Sequence, residues 1–146
     1  MRDQFDFTLK TQTYYGSGYS RNLGQLLQNH DFKNVVLMVH EGVYKCSDYF
    51  QEIKSIMEKH IPSLMVEVLR GSEEPDYDYL DLVTEKIRSF KTIDAIVGIG
   101  GGSCLDIAKA VAVLITNPGK GIEYRGFDKV RVPGVPVIAV PTTAGT

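Results

Sequence analysis

The residues with the clearest chemical potential lie together between Asp94 and Lys109, in the order Asp-Ala-Ile-Val-Gly-Ile-Gly-Gly-Gly-Ser-Cys-Leu-Asp-Ile-Ala-Lys. An apolar strand runs into three glycines and then directly into a helix start. Gly100, Gly101 and Gly102 have no Cβ, so they are expected to take positive φ and to let their amides approach a ligand closely. Ser103 is expected to cap the helix that follows. A helix N-terminus carries unpaired N–H groups and about half a positive charge, a combination suited to phosphate or pyrophosphate. The same local context also fits a tight strand-to-helix turn with no ligand.

The standard phosphate motifs are absent. Gly98-x-Gly100-x-x-Ser103 has Ser where the dinucleotide fingerprint has its third glycine, and no Lys-Ser or Lys-Thr pair follows as a P-loop requires. Other candidates are scattered. Glu41 follows the apolar run that ends at Val39, where an acid can accept hydrogen bonds from the hydroxyls of an adenosine ribose; it reads equally as a solvated surface acid. Asp106 and Lys109 have the spacing of a surface ion pair worth about 0.2–0.5 kcal/mol, and neither is assigned as a catalytic acid or base. Thr142, Thr143 and Thr146 put hydroxyls on a loop leaving an apolar run; on local context they read first as ordinary loop threonines, and the same groups would suit a nucleotide's ribose and base. Cys104 at a helix start could be acidified, yet it reads better as a small packed side chain. His30, His40 and His60 lack metal-ligand spacing and read as surface or strand-end residues, so no metal site and no catalytic residue is assigned.

Short apolar runs alternating with amphipathic stretches predict a mostly parallel sheet with crossover helices. Strands are expected at 7–15 (a sheet edge), 35–39, 64–69, 93–99 and 135–140. Helices are expected at 20–29, 47–59, 75–90 and 103–116, with Ala108 and Ala112 allowing the last to lie close on the sheet. Residues 117–133 read as a loop, including Gly119-Lys120-Gly121. In such sheets ligands bind beyond the carboxyl ends of the strands. Three informative loops fall there, after Val39, Ile99 and Val140.

Read together, Gly100-Gly101-Gly102-Ser103-x-x-Asp106-x-Ala108-Lys109, then Asn117-Pro118-Gly119, then Pro141-Thr142-Thr143-Ala144-Gly145-Thr146 resemble the iron-containing (group III) alcohol dehydrogenases. The resemblance implies an α/β, Rossmann-like, doubly wound domain over residues 1–146, cut within the Thr-Thr-Ala-Gly-Thr motif. It implies that NAD lies with its pyrophosphate on the glycine turn and the rest along the Thr loop, and that Asp106 borders the cofactor and the active cleft. It favours ribose binding by Glu41, where the family usually has Asp. A carboxylate about 4 Å from a 2′-phosphate costs about 1 kcal/mol in water and about 4 at an effective dielectric of 20, so NAD is expected over NADP. The metal, Fe(II) or Zn(II), is implied to bind an Asp and three His of a helical C-terminal domain beyond Thr146, leaving this chain inactive alone. Glu74 stands where the family has a cofactor-holding Asn, which puts that contact in doubt. Dehydroquinate synthases and polyol dehydrogenases share the plan, and a stand-alone nucleotide-binding module is the remaining alternative.

Composition agrees with one domain. The chain has 146 residues, 43% of them hydrophobic, enough for a buried core. A formal charge of −2 gives no broad basic surface for nucleic acid, and no apolar run is long enough for a membrane span. Two cysteines and an N-terminus without a signal-like profile favour a reducing cytoplasm. The expected ligands beyond NAD are a small alcohol or aldehyde, and a homodimer or higher homo-oligomer is compatible with the sequence.

Overall fold

The computed structural model describes residues 10–71, 74–90 and 92–144. Four parallel strands form one sheet: β1 (Asn34–His40), β2 (Ser63–Leu69), β3 (Ala95–Gly100) and β4 (Val137–Pro141), in the order β2-β1-β3-β4. Among the described residues five α-helices accompany them: α1 (Leu23–Asn29), entered through a 3-10 turn at Tyr19–Asn22, α2 (Glu41–Cys46), α3 (Asp48–His60), α4 (Tyr77–Arg88) and α5 (Gly102–Thr116).

Strand β1 explains the two-sided architecture. Val35, Leu37 and Val39 project to one face, against Leu27 of α1 and Phe50, Ile53 and Met57 of α3. Val36 and Met38 project to the other, against Val83 and Ile87 of α4 and Ile107 and Val111 of α5. All five strand residues are fully buried, which is why the strand reads as a continuous apolar run rather than an alternating one. Ala108 and Ala112 are buried on α5 as expected. A Cβ on Gly98 would lie 3.0 Å from that of Ala108, so two small residues let α5 lie tightly on β3.

At the amino end of the sheet, Asp94 Oδ2 accepts hydrogen bonds from the Lys33 and Asn34 amides, each at 2.8 Å. This carboxylate fastens β3 to β1 opposite the end where the chain turns into α5. At the far end of α5, Asn117 is buried; its Nδ2 donates to the Val113 and Val132 carbonyls at 2.9 and 2.8 Å. It thereby anchors the connection to β4.

Four expectations change. Of the strand expected over 7–15, residues 7–9 lie outside the described residues, and residues 10–15 join no ladder. Tyr14 and Tyr15 are exposed, so this stretch has no half-buried surface to satisfy, which is what strand preference measures. Residues 41–46, read as loop, form α2. Residues Gly121–Tyr124 form a 3-10 turn, with the Lys120 amide bonded to Glu123 Oε1 at 2.9 Å. Helix α5 starts at Gly102 rather than Ser103. Gly101 is therefore the N-cap, and Ser103 sits inside the first turn with no capping bond.

Candidate functional site

The chain leaves β1 toward one side of the sheet and β3 toward the other, so a crevice opens between their carboxyl ends, the place where doubly wound folds bind ligands. A cleft of about 280 Å³ lies there, near the lower limit for small-molecule sites. Its walls come from the glycine turn and first turn of α5 (Gly101, Gly102, Ser103), the loop after β4 (Thr142, Thr143), His40 at the end of β1, and Arg70, Gly71 and Tyr79 beyond β2.

The floor is built by close contact. A Cβ on Gly100 would lie 2.6 Å from that of Cys104 and 3.2 Å from that of His40, so only glycine lets β3 pass under α5 here. Gly102 has open space where its Cβ would be. None of the three glycines takes positive φ, and Gly101 is extended at φ −78°. Their role is therefore room, not an unusual backbone. Leu105 N–H makes the first bond of α5, to the Gly101 carbonyl at 3.1 Å. The amides of Gly102, Ser103 and Cys104 precede it and have no acceptor within the helix. No side chain caps them. The result is a set of donors at the positive end of a 15-residue helix. Thr142 N–H bonds the Gly100 carbonyl at 2.9 Å, which ties the Thr loop to the glycine turn.

The sequence-level candidates divide into three groups. Gly101, Gly102, Ser103, Thr142 and Thr143 line the cleft, and Gly100 lies beneath it. Glu41 and Asp106 are not among the lining residues. Glu41 begins α2 at the rim and pairs with Lys45 one turn on. Hydrogen bonding and charge from Lys45, with smaller help from the Gly71 amide and His40, hold its carboxyl below the usual range. Asp106 is exposed on α5 and pairs with Lys109 at 3.1 Å. Thr146 lies outside the described residues.

The sequence places His40 as a surface or strand-end residue; it ends β1, and it also lines the cleft. Its Nδ1 accepts the Gly42 N–H at 3.0 Å, capping α2. Arg70 belongs to a fourth loop, after β2, and Tyr79 to the first turn of α4 that follows it; periodicity does not single out either. The rule about carboxyl ends of strands applies to that loop equally. Asp76 caps α4 through a 2.7 Å bond from Tyr79 N–H, as its place before that helix suggests. Glu74 does not line the cleft. Among the described residues no group of three or more His, Cys, Asp or Glu could hold a metal ion.

The family description "Iron-containing alcohol dehydrogenase" matches residues 10–146. The chain belongs to that family. Alcohol dehydrogenase 4 of Schizosaccharomyces pombe is 32% identical over 141 residues, covering 96% of this chain and 32% of the relative. A solved NADH-dependent butanol dehydrogenase from Thermotoga maritima superposes with a TM-score of 0.83 at 23% identity, over 98% of this chain and 35% of its own. A sulfoacetaldehyde reductase from Bifidobacterium kashiwanohense, solved with NAD+, gives 0.81 at 24% identity, over 98% and 37%. These two structural likenesses establish the fold. The chain thus spans about a third of the length of these relatives.

Proposed function

We propose that residues 1–146 form the NAD-binding domain of a metal-dependent alcohol dehydrogenase, an enzyme that exchanges hydride reversibly between a small alcohol and nicotinamide. The observation that carries this reading is the uncapped amino end of α5 opening into the cleft beside Gly102, where a Cβ would meet nothing and a pyrophosphate has both space and donors. Gly101, Gly102 and Ser103 bind the pyrophosphate. Thr142 and Thr143 contact the remainder of the cofactor, joined by Thr146, and Glu41 reaches the adenosine ribose from the rim. Asp106 borders the mouth of the cleft. The bound dinucleotide is the hydride carrier, and this chain's share of catalysis is to hold and aim it.

Among the described residues no group fits a metal; on this reading the metal's ligands belong to sequence outside this chain. Fe(II) or Zn(II) there would act as a Lewis acid on the substrate oxygen. The chain alone is accordingly expected to bind dinucleotide without oxidising alcohols. The setting we propose is cytoplasmic.

Calorimetric titration of the chain with NADH tests the reading directly. At a free concentration one hundred times Kd, binding adds about 2.7 kcal/mol of stability, which raises Tm by roughly 5–10 °C at this size. Gly102→Val fills open space, so it is expected to melt within about 2 °C of the parent and to lose at least tenfold in affinity. No NADH binding by the native chain, or an unchanged Kd in the variant, removes the pyrophosphate assignment.

A further inference from the structure

The long connection from α5 to β4 turns back over the side of the sheet that α4 and α5 cover. It is fixed on both legs of its path. On the outward leg the Gly121 N–H donates to Asp81 Oδ1 at 2.7 Å, and a Cβ on Gly121 would lie 2.7 Å from the Leu80 side chain, so the 3-10 turn Gly121–Tyr124 sits tightly on the first half of α4. On the return leg Asn117 Oδ1 accepts the Arg131 and Val132 amides at 3.3 and 3.1 Å. Between these anchors residues 125–130 are exposed, with Phe127 held between Gly126 (φ 113°) and Asp128 (φ 58°).

Phe127 is 95% exposed, and it does not stand alone. Val130, Val132 and Ile122 of the same connection are exposed, as are Tyr77 and Leu82 of the adjoining α4. Single exposed apolar residues are ordinary, whereas a cluster of them among charges marks a protein-contact surface. Asp78, Leu82 and Glu85 are all exposed at a spacing of four and three, which makes them the outward stripe of α4. The helix dipole accounts for an acid at Asp78 in the first turn, but not for a leucine that is 63% exposed one turn later.

The charges of this side fall into two blocks of opposite sign. From Arg70 to Arg88 the sequence holds six acids, Glu73, Glu74, Asp76, Asp78, Asp81 and Glu85, and three cations. All three cations have partners: Arg70 lies over the Tyr79 ring, Lys86 pairs with Glu67 and Arg88 with Glu85. From Asn117 to Pro136 there are four cations, Lys120, Arg125, Lys129 and Arg131, against Glu123 and Asp128. On α5 Asp106 and Lys109 pair with each other. Among the described residues neither the four loop cations nor Asp78 joins an ion pair.

A face that carries both halves of a complementary pair is complementary to itself. That is the condition for a two-fold interface, in which one patch serves both subunits. We infer that this face joins two copies of the chain, residues 125–131 of each lying on the outward stripe of the other's α4, with Phe127 against Leu82 and the loop cations against Asp78. None of these residues lines the cleft, so the inference stands apart from the dinucleotide reading.

Sedimentation equilibrium of the 146-residue chain tests it, with melting curves for every variant. The mass should rise with concentration from 16.2 kDa toward twice that value. Raising salt from about 50 to about 500 mM should weaken association at least threefold, because exposed charges are screened. Phe127→Ser, at an exposed position, should melt with the parent and associate at least tenfold more weakly. Asp78→Lys and the double variant Lys129→Glu/Arg131→Glu should each be monomeric, while their equimolar mixture should recover a dimer within about fivefold of the native affinity, since the reversed charges attract again across both contacts. Tyr15→Ser, beside the 3-10 turn that leads into α1, should change nothing. A chain that stays monomeric up to about 300 µM overturns the inference, an affinity of that order being the weakest a specific contact would show. So does a dimer that survives Phe127→Ser, a dimer that Tyr15→Ser removes, or a pair of charge variants whose mixture stays monomeric.

Discussion

Cys104 illustrates how placement overrides a residue's intrinsic tendency. A thiol in the first turn of a helix faces the positive end of the dipole and is expected to acidify. Here the side chain is buried under Gly100, and its Sγ donates to the Ile99 carbonyl at 3.4 Å. Burial pushes the thiol up to about 11, against smaller opposing contributions from the His40 and Ile99 backbone. It therefore stays neutral and serves as packing behind the glycine turn. A disulfide-exchange reagent at pH 8 should modify the exposed Cys46 rapidly and Cys104 only when denaturant opens the fold; rapid reaction of both thiols in the native chain would contradict the burial. The pH dependence has a definite sign. The folded state binds this proton more tightly than the unfolded state, so the contribution is complete below the ordinary thiol value of 9.0 and is lost as pH rises toward about 11. Melting curves of the native chain and Cys104→Ala between pH 7 and 11 should show the steeper decline in the native chain.

At the level of elements, the sequence was informative wherever a single face or pair of faces controls residue type. Val35–Val39 is apolar throughout because helices cover both sides of β1. Phe50, Ile53 and Met57 recur at helical spacing because only one side of α3 is buried. Helix α2 escaped because six residues with a glycine in second place are too short to display a period. Missing α2 concealed the Glu41–Lys45 pair, whose spacing acquires meaning only on a helix. Arg70 and Tyr79 were illegible for another reason: an Arg after a strand has no local signature, and its relevance comes from the register that sets Leu69 against His40.

The Asp94 clamp belongs to this scale too. Burial pushes its carboxyl up, but hydrogen bonds from the Asn34 and Lys33 amides and the Asn34 side chain outweigh that and leave it below the ordinary carboxylate value. Its stabilisation is present above the ordinary Asp value of 3.8 and is lost as pH falls through the lowered one. Asp94→Ala removes an ionised acceptor shared by two adjacent strands and should cost about 2 kcal/mol at pH 7. Urea titrations at pH 7 and pH 3 should find the gap between native and variant narrower at the lower pH. A variant as stable as the parent at pH 7 would deny the clamp its role.

Across the whole molecule, the cleft draws its walls from strands of unequal protection. Strand β1 is central and buried on both faces, whereas β4 is the outer strand beside β3, with Ala139 and Pro141 exposed. Such differences appear in time as well as in space. Amide protons of residues 35–39 should exchange with deuterium only when the whole fold opens, and those of residues 137–141 through smaller, more frequent openings. A dinucleotide spanning the glycine turn and Thr142–Thr143 would slow by the same factor, one plus the ratio of free ligand to Kd, every opening that breaks its site, and β4, exchanging fast enough to follow, would report it first. Deuterium uptake with and without NADH, followed by mass spectrometry of peptides from the two strands, is the measurement; unchanged uptake in β4 would mean that its local openings leave the bound ligand undisturbed or that no ligand joins the two loops. Strand β4, at one edge of the sheet, would thus act as the molecule's clock for ligand arrival, its openings becoming rarer once the two loops share a guest.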